Sequence, residues 1–203
     1  MNFKKVRILV FLLFPLIVLI PAADGKQNPV GHDLKTFRDL LANINASFIL
    51  PDGFNEIKPI ATDKFPCQYA LQLPSADFEV RFEVNPLKQE WKNFEQGKGD
   101  KVNPDSLYSK LVVNEVKGLA LEGKYFSRAM PERILEEYNA DLGRSYFFSL
   151  VDSPETNHYQ YALLVVLQKN HYGSIVVVCF SNERGPGFFK NINKLKDCLR
   201  FTN

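Results

Sequence analysis

The chain has 203 residues with 25 Lys and Arg against 23 Asp and Glu. Near-neutrality without a basic block gives it no electrostatic footprint for nucleic acid. Three cysteines, Cys67, Cys179 and Cys198, are too few for a disulfide scaffold and show no zinc-type spacing.

Met1–Arg7 is short and basic, Ile8–Ile20 is apolar apart from Pro15, and Pro21-Ala-Ala-Asp-Gly25 supplies small residues for a peptidase. This is the grammar of a secretory signal peptide over residues 1–25, with a retained N-terminal anchor as the alternative. Cleavage after Gly25 removes Lys4, Lys5, Arg7 and Asp24 and leaves 22 charges of each sign. The remainder suits one domain with a substantial core. A Cys67–Cys198 bridge is conceivable in an oxidising compartment, but three reduced thiols are expected.

Residues 26–47 read as a polar leader followed by a helix. Asp33 can cap it, and Leu34, Phe37, Leu40, Leu41 and Ile44 recur at helical spacing. Asn45-Ala-Ser47 matches a glycosylation sequon. The main domain is expected over 48–203. Pro51-Asp-Gly53 is a turn, followed by strands at 54–60, 68–73 and 77–84. In the last, Phe78, Val80, Phe82 and Val84 alternate with Asp77, Glu79, Arg81 and Glu83, which predicts a strand buried on one side only. Asn85-Pro86 should end the ladder.

Residues 88–104 lack the pattern of a phosphate-binding loop and read as a surface loop, with Trp91 and Phe94 tucked onto the domain. A second helix should start at Pro104 and bury Leu107, Leu111, Val112, Val116 and Leu119. A third follows Pro131 and should close at Gly143 in the left-handed conformation. Strands are expected at 145–151, 159–169 and 174–180. The last two are apolar on both alternating sets and joined by a turn at Asn170–Gly173. A final helix is expected over 187–201, with Phe188, Ile192, Leu195 and Leu199 inward and Lys190, Lys194, Lys196 and Arg200 in water. The pattern predicts an α+β chain, a three-layer α/β/α sandwich around a mostly antiparallel sheet.

The export signal, Leu50-Pro-Asp-Gly-Phe54-Asn-Glu-Ile-Lys58, the strand Phe78–Leu87, Glu137-Tyr-Asn-Ala-Asp-Leu-Gly143 and the closing Leu199-Arg-Phe201 resemble small exported bacterial proteins of uncharacterised function. The architecture is similar to the PsbP-like fold of photosystem extrinsic subunits and the exported protein DcrB. The resemblance spans most of 48–201 and implies a binding or accessory module rather than an enzyme. The N-terminal helix and the 88–104 segment depart from the plainest members.

Chemistry is sparse. Of the three histidines, His32 lies in the leader and His171 in a turn. His158, near Asp152 and Glu155, is left as the only base for a small secreted hydrolase, with no GxSxG or SxxK partner. Glu136, Glu137, Asp141 and Asp152 offer a glycosidase pair only if folding aims two of them across a cleft. The strongest ligand-binding candidates are Tyr138, Asn139, Asp141 and Arg144 in one helix-to-strand turn, with His158 and Tyr161 as further candidates. The bland alternative is that Asn139 and Asp141 bond local backbone. The run Tyr125-Phe126, Tyr146-Phe147-Phe148, Tyr159 and Tyr161 offers a contact surface, half of it core by alternation. The expectation is an exported, non-catalytic binding or assembly module of the bacterial envelope. It should have no cofactor or metal, a protein or small-molecule partner, no nucleic acid, and membrane contact only through a retained leader.

Overall fold

The computed structural model describes residues 32–62, 65–98 and 102–202; the expected signal peptide and the leader to residue 31 lie outside the described residues. Along the chain run α1 (His32–Ala42), β1 (Ala46–Phe48), β2 (Asn55–Ile57), β3 (Tyr69–Leu73), β4 (Phe78–Pro86), α2 (Lys88–Glu95), α3 (Tyr108–Leu119), β5 (Phe126–Ala129), α4 (Glu132–Tyr138), β6 (Leu142–Ser149), β7 (Tyr161–Lys169), β8 (Gly173–Ser181), α5 (Pro186–Asn193) and β9 (Leu199–Phe201). The chain is mixed α+β. Seven strands form an antiparallel sheet in the order β2-β3-β4-β8-β7-β6-β5, and β1 and β9 form a second, two-stranded one. No helix among the described residues is long and apolar enough to cross a membrane.

Strand alternation divides the core between the two faces of the large sheet. On one face Leu71, Leu73, Phe78, Val80, Phe82 and Ile175 pack with Phe37 and Leu41 of α1, Phe48 of β1, Phe188 of α5 and Phe201 of β9. On the other, Ala70, Leu164, Val166, Val176, Val178 and Phe180 pack with Val112, Val116 and Leu119 of α3. The inward residues of α3 recur at i, i+4 and i+7, the stripe that buries one side of a helix. β7 and β8 are covered on both faces, as their unbroken apolar runs require.

β4 departs from expectation. Its alternation is as read, but Glu79, Arg81 and Glu83 are only 1%, 2% and 3% exposed. The strand lies in the interior of the sheet between β3 and β8, and its charged face is covered by α3 and the segment after β6. For Glu79 and Arg81 burial is tolerated because the two charges pair with each other. Arg81 Nε donates to Glu79 Oε1 at 2.6 Å and Nη1 to the Glu155 carbonyl at 2.7 Å. Asn157 Nδ2 donates to Glu79 Oε2 at 2.7 Å, and the guanidinium lies 4.7 Å from the Phe180 ring centre. As expected, the ladder ends at Asn85-Pro86, with Pro86 opposite Gly173.

Three further expectations are corrected. The 88–104 segment contains α2, held by Trp91, whose indole N–H donates to Asp105 Oδ1 at 3.0 Å and whose ring lies 4.1 Å from that of His171. The last helix stops at Asn193, and Leu199–Phe201 leaves it to pair with Ala46–Phe48, so the four basic residues do not share a helix. Finally, α4 closes at Asn139 (φ 51°, ψ 38°), not Gly143. Asparagine tolerates the left-handed region because its short amide bonds locally. Gly143 lies inside β6, where a Cβ would come within 2.9 Å of both Leu135 Cδ2 and Met130 Sδ, so glycine is needed there for close packing.

Candidate functional site

β5 was not legible as a strand, yet it frames the most distinctive surface. It forms one end of the large sheet, paired only with β6 among the described residues. The Met130 N–H donates to the Gly143 carbonyl at 3.0 Å, which fixes the phase of the ladder. Residues 126, 128 and 130 therefore bond to β6, while the N–H and C=O of Ser127 and Ala129 point away from the sheet.

On the α3 side, this edge borders an open groove of about 600 Å³. Lys110, Val113 and Asn114 of α3 form one wall; Tyr125 and Ser127 form the other; Arg144 and Tyr146 of β6 form the floor. The inward turn of Val112 and Val116 places residues 110, 113 and 114 on the flank of the helix. Tyr146 is buried, its ring edge-on to Tyr125 at 5.7 Å. Burial pushes its hydroxyl pKa upward, opposed by the Arg144 charge. Two cations and no carboxylate line this groove.

A second open cleft, of about 540 Å³, holds Ser149, Asp152, His158, Gln160 and Tyr161. His158 Nδ1 lies 2.6 Å from Asp152 Oδ1, with both side chains exposed. Ser149 was not singled out from the sequence; it arrives here because β6 and β7 pair it with Tyr161. No hydrogen bond joins Ser149 to His158 among the described residues. A working triad needs that bond and a sheltered acid, and this arrangement shows neither.

The six candidates do not converge. Tyr138 lines a small apolar cavity of about 50 Å³ beside Cys179 and Cys198, where burial pushes its hydroxyl up to about 12. Asn139 donates from Nδ2 to the Phe201 carbonyl at 3.1 Å, and Lys169 Nζ reaches Asn139 Oδ1 at 3.3 Å and Asp141 Oδ1 at 3.2 Å. Asp141 also accepts from the Asn170 N–H at 2.8 Å, so these polar groups tie α4 to the β7–β8 turn. β6 starts at Leu142, and alternation sends Arg144 to the opposite face, into the groove. His158 and Tyr161 belong to the second cleft. Glu137 is bound by Arg133 at 2.7 Å and Glu136 is exposed, so neither faces a carboxylate across a cleft.

The aromatic run divides in the same way. Tyr146 and Phe148 join the α3-side core. Phe126, 69% exposed, lies on the reverse face opposite Phe147, whose ring stacks with Tyr161 at 6.3 Å. Among the described residues no group of three or more His, Cys, Asp or Glu is placed to hold a metal ion. No family model matches the chain, and no curated protein matches it in sequence.

Proposed function

We propose that the chain is an exported, non-catalytic binding module of the bacterial envelope, a PsbP-like three-layer α/β/α sandwich whose working surface is the groove between α3 and β5–β6. One observation carries the reading. An open groove with cations at Lys110 and Arg144, tyrosines at 125 and 146 and no nucleophile–base pair is built to hold an anionic ligand, not to transform one. The basic, apolar leader supports export.

The test is native mass spectrometry of the processed protein purified from its own host, beside the Arg144→Glu variant. A new N-terminus near residue 26 and an added mass lost in the variant are expected. An uncleaved chain removes the export reading, and an added mass indifferent to Arg144 removes the groove.

The second reading is a small hydrolase, favoured by Ser149, His158 and Asp152 sharing one cleft. Covalent labelling of Ser149 by a fluorophosphonate, abolished by His158→Ala, would establish it and displace the binding reading.

A further inference from the structure

Resting on the groove as the binding surface, we infer that its occupant is an extended segment of a partner protein with alternating acidic and apolar residues, added as a strand to the free edge of β5.

The edge gives the backbone half of the argument. Ser127 and Ala129 direct two N–H and two C=O groups outward, and no described segment bonds them. An added strand satisfies such groups by continuing the ladder, with main-chain bonds giving affinity and alternate side chains giving specificity. Many proteins protect open edges with bulges, inward charges or covering loops. Here β5 carries one charge, Arg128, on the reverse face and only the small Ser127 and Ala129 on the groove side.

The side chains of β5 then specify the partner. Ser127 and Ala129 share the groove face with Tyr146 and Arg144, directly opposite them in the ladder. Strands lie about 4.8 Å apart, so an incoming backbone runs about 10 Å from that of Arg144. A glutamate on its groove side can cross above Ala129 to meet the guanidinium, and its neighbour two residues along can approach Lys110. No carboxylate in the groove lining competes for either cation. On the reverse face, Phe126 is 69% exposed next to the Phe147–Tyr161 stack. Residues of the incoming strand pointing that way cover Phe126 and lie along the aliphatic stem of the exposed Arg128, which shares this face, and are best apolar. Period two in the ligand thus follows from period two in β5.

The probe is a short peptide alternating Glu and Val, compared with a peptide of the same composition with Glu and Val in separate blocks. Binding is read by titration, and amide exchange at Ser127 and Ala129 by NMR. The alternating peptide should bind at least about tenfold tighter than the blocked one and slow exchange at both amides. Binding should weaken about tenfold or more in Arg144→Glu and fall with added salt. Ser127→Pro, which deletes an outward donor on an edge strand, should also weaken it while the fold persists by circular dichroism. Equal binding of both peptides, or binding without protection of the two amides, overturns strand addition. Inorganic phosphate that matches the peptide's affinity and displaces it replaces the occupant with a small anion. A concentration-dependent dimer abolished by Ser127→Pro replaces it with a second copy of the chain. If neither peptide binds yet the host-purified protein carries a mass dependent on Arg144, strand addition fails and the groove reading stands.

Discussion

The Glu115 carboxyl of α3 hydrogen-bonds the Glu83 carboxyl of β4 beneath the helix, a contact that two ionised groups cannot make. Arg81, the nearest cation along β4, is committed to Glu79. Burial raises both acids above their usual 4.5, and the facing carboxyl takes Glu115 up to about 8. The folded chain therefore keeps protons that the unfolded chain releases above about 4.5. Stability should be greatest in mild acid, fall as pH rises through that window and level off above about 8. With the partial exposure of Glu115 allowed for, the expected loss is about 2 kcal/mol. Urea titrations at several pH values check this, and Glu115→Gln should flatten the slope. An unchanged slope in that variant would place the titration elsewhere.

The Arg81–Glu79 pair has a different sensitivity. Arg81→Met leaves the Glu79 charge buried, with Asn157 its remaining partner, and should cost about 3–5 kcal/mol. Adding Glu79→Gln removes the stranded charge and should recover a substantial part of that loss. Denaturant midpoints of the two variants decide it; no recovery would mean that Arg81 acts through its packing on Phe180.

Asn139 takes the left-handed cap that the sequence suggested for Gly143, and Gly143 serves close packing inside β6 instead. Asn139→Ala should cost about 1–2 kcal/mol, because alanine resists the left-handed cap and the bond to the Phe201 carbonyl is lost. Gly143→Ala should cost about 1–3 kcal/mol through overpacking against Leu135 and Met130. Shortening Met130 to Ala should relieve part of the second effect and none of the first. Thermal unfolding of the single and paired variants reads all three.

The thiols should be inert while the protein is folded. Burial raises the pKa of Cys67 to about 11 and of Cys198 to about 12, and raises that of the fully enclosed Cys179 as well. Cys67 also packs in the α3-side core, whereas Cys198 packs on the opposite face. Iodoacetamide should label none of the three before denaturation and all three after it. Mass spectrometry that finds a labelled thiol in the folded state would place that residue at the surface.

What the sequence made legible was local. β7 and β8 are readable because continuous Val, Leu and Ile runs fit only a doubly covered strand. α1, α3 and α4 show their stripes or their proline starts. The charged face of β4 misleads because its partners, Glu155, Asn157 and Glu115, lie far along the chain. The pairing of β9 with β1 is equally remote, so Leu199 and Phe201 pass for the end of a helical stripe. Arg144 was named as a candidate, but its neighbours Lys110 and Ser127 were not, since only the packing of α3 beside β5 brings them together.

The β1–β9 pairing also sets when the chain can fold. Phe48 and Phe201 meet in the same core as Phe37 and Leu41. A nascent chain still lacking residues 199–201 leaves β1 unpaired and this cluster open. Closure of this cluster therefore waits on contacts remote in sequence, whose loop-closure entropy must be met before their burial is gained.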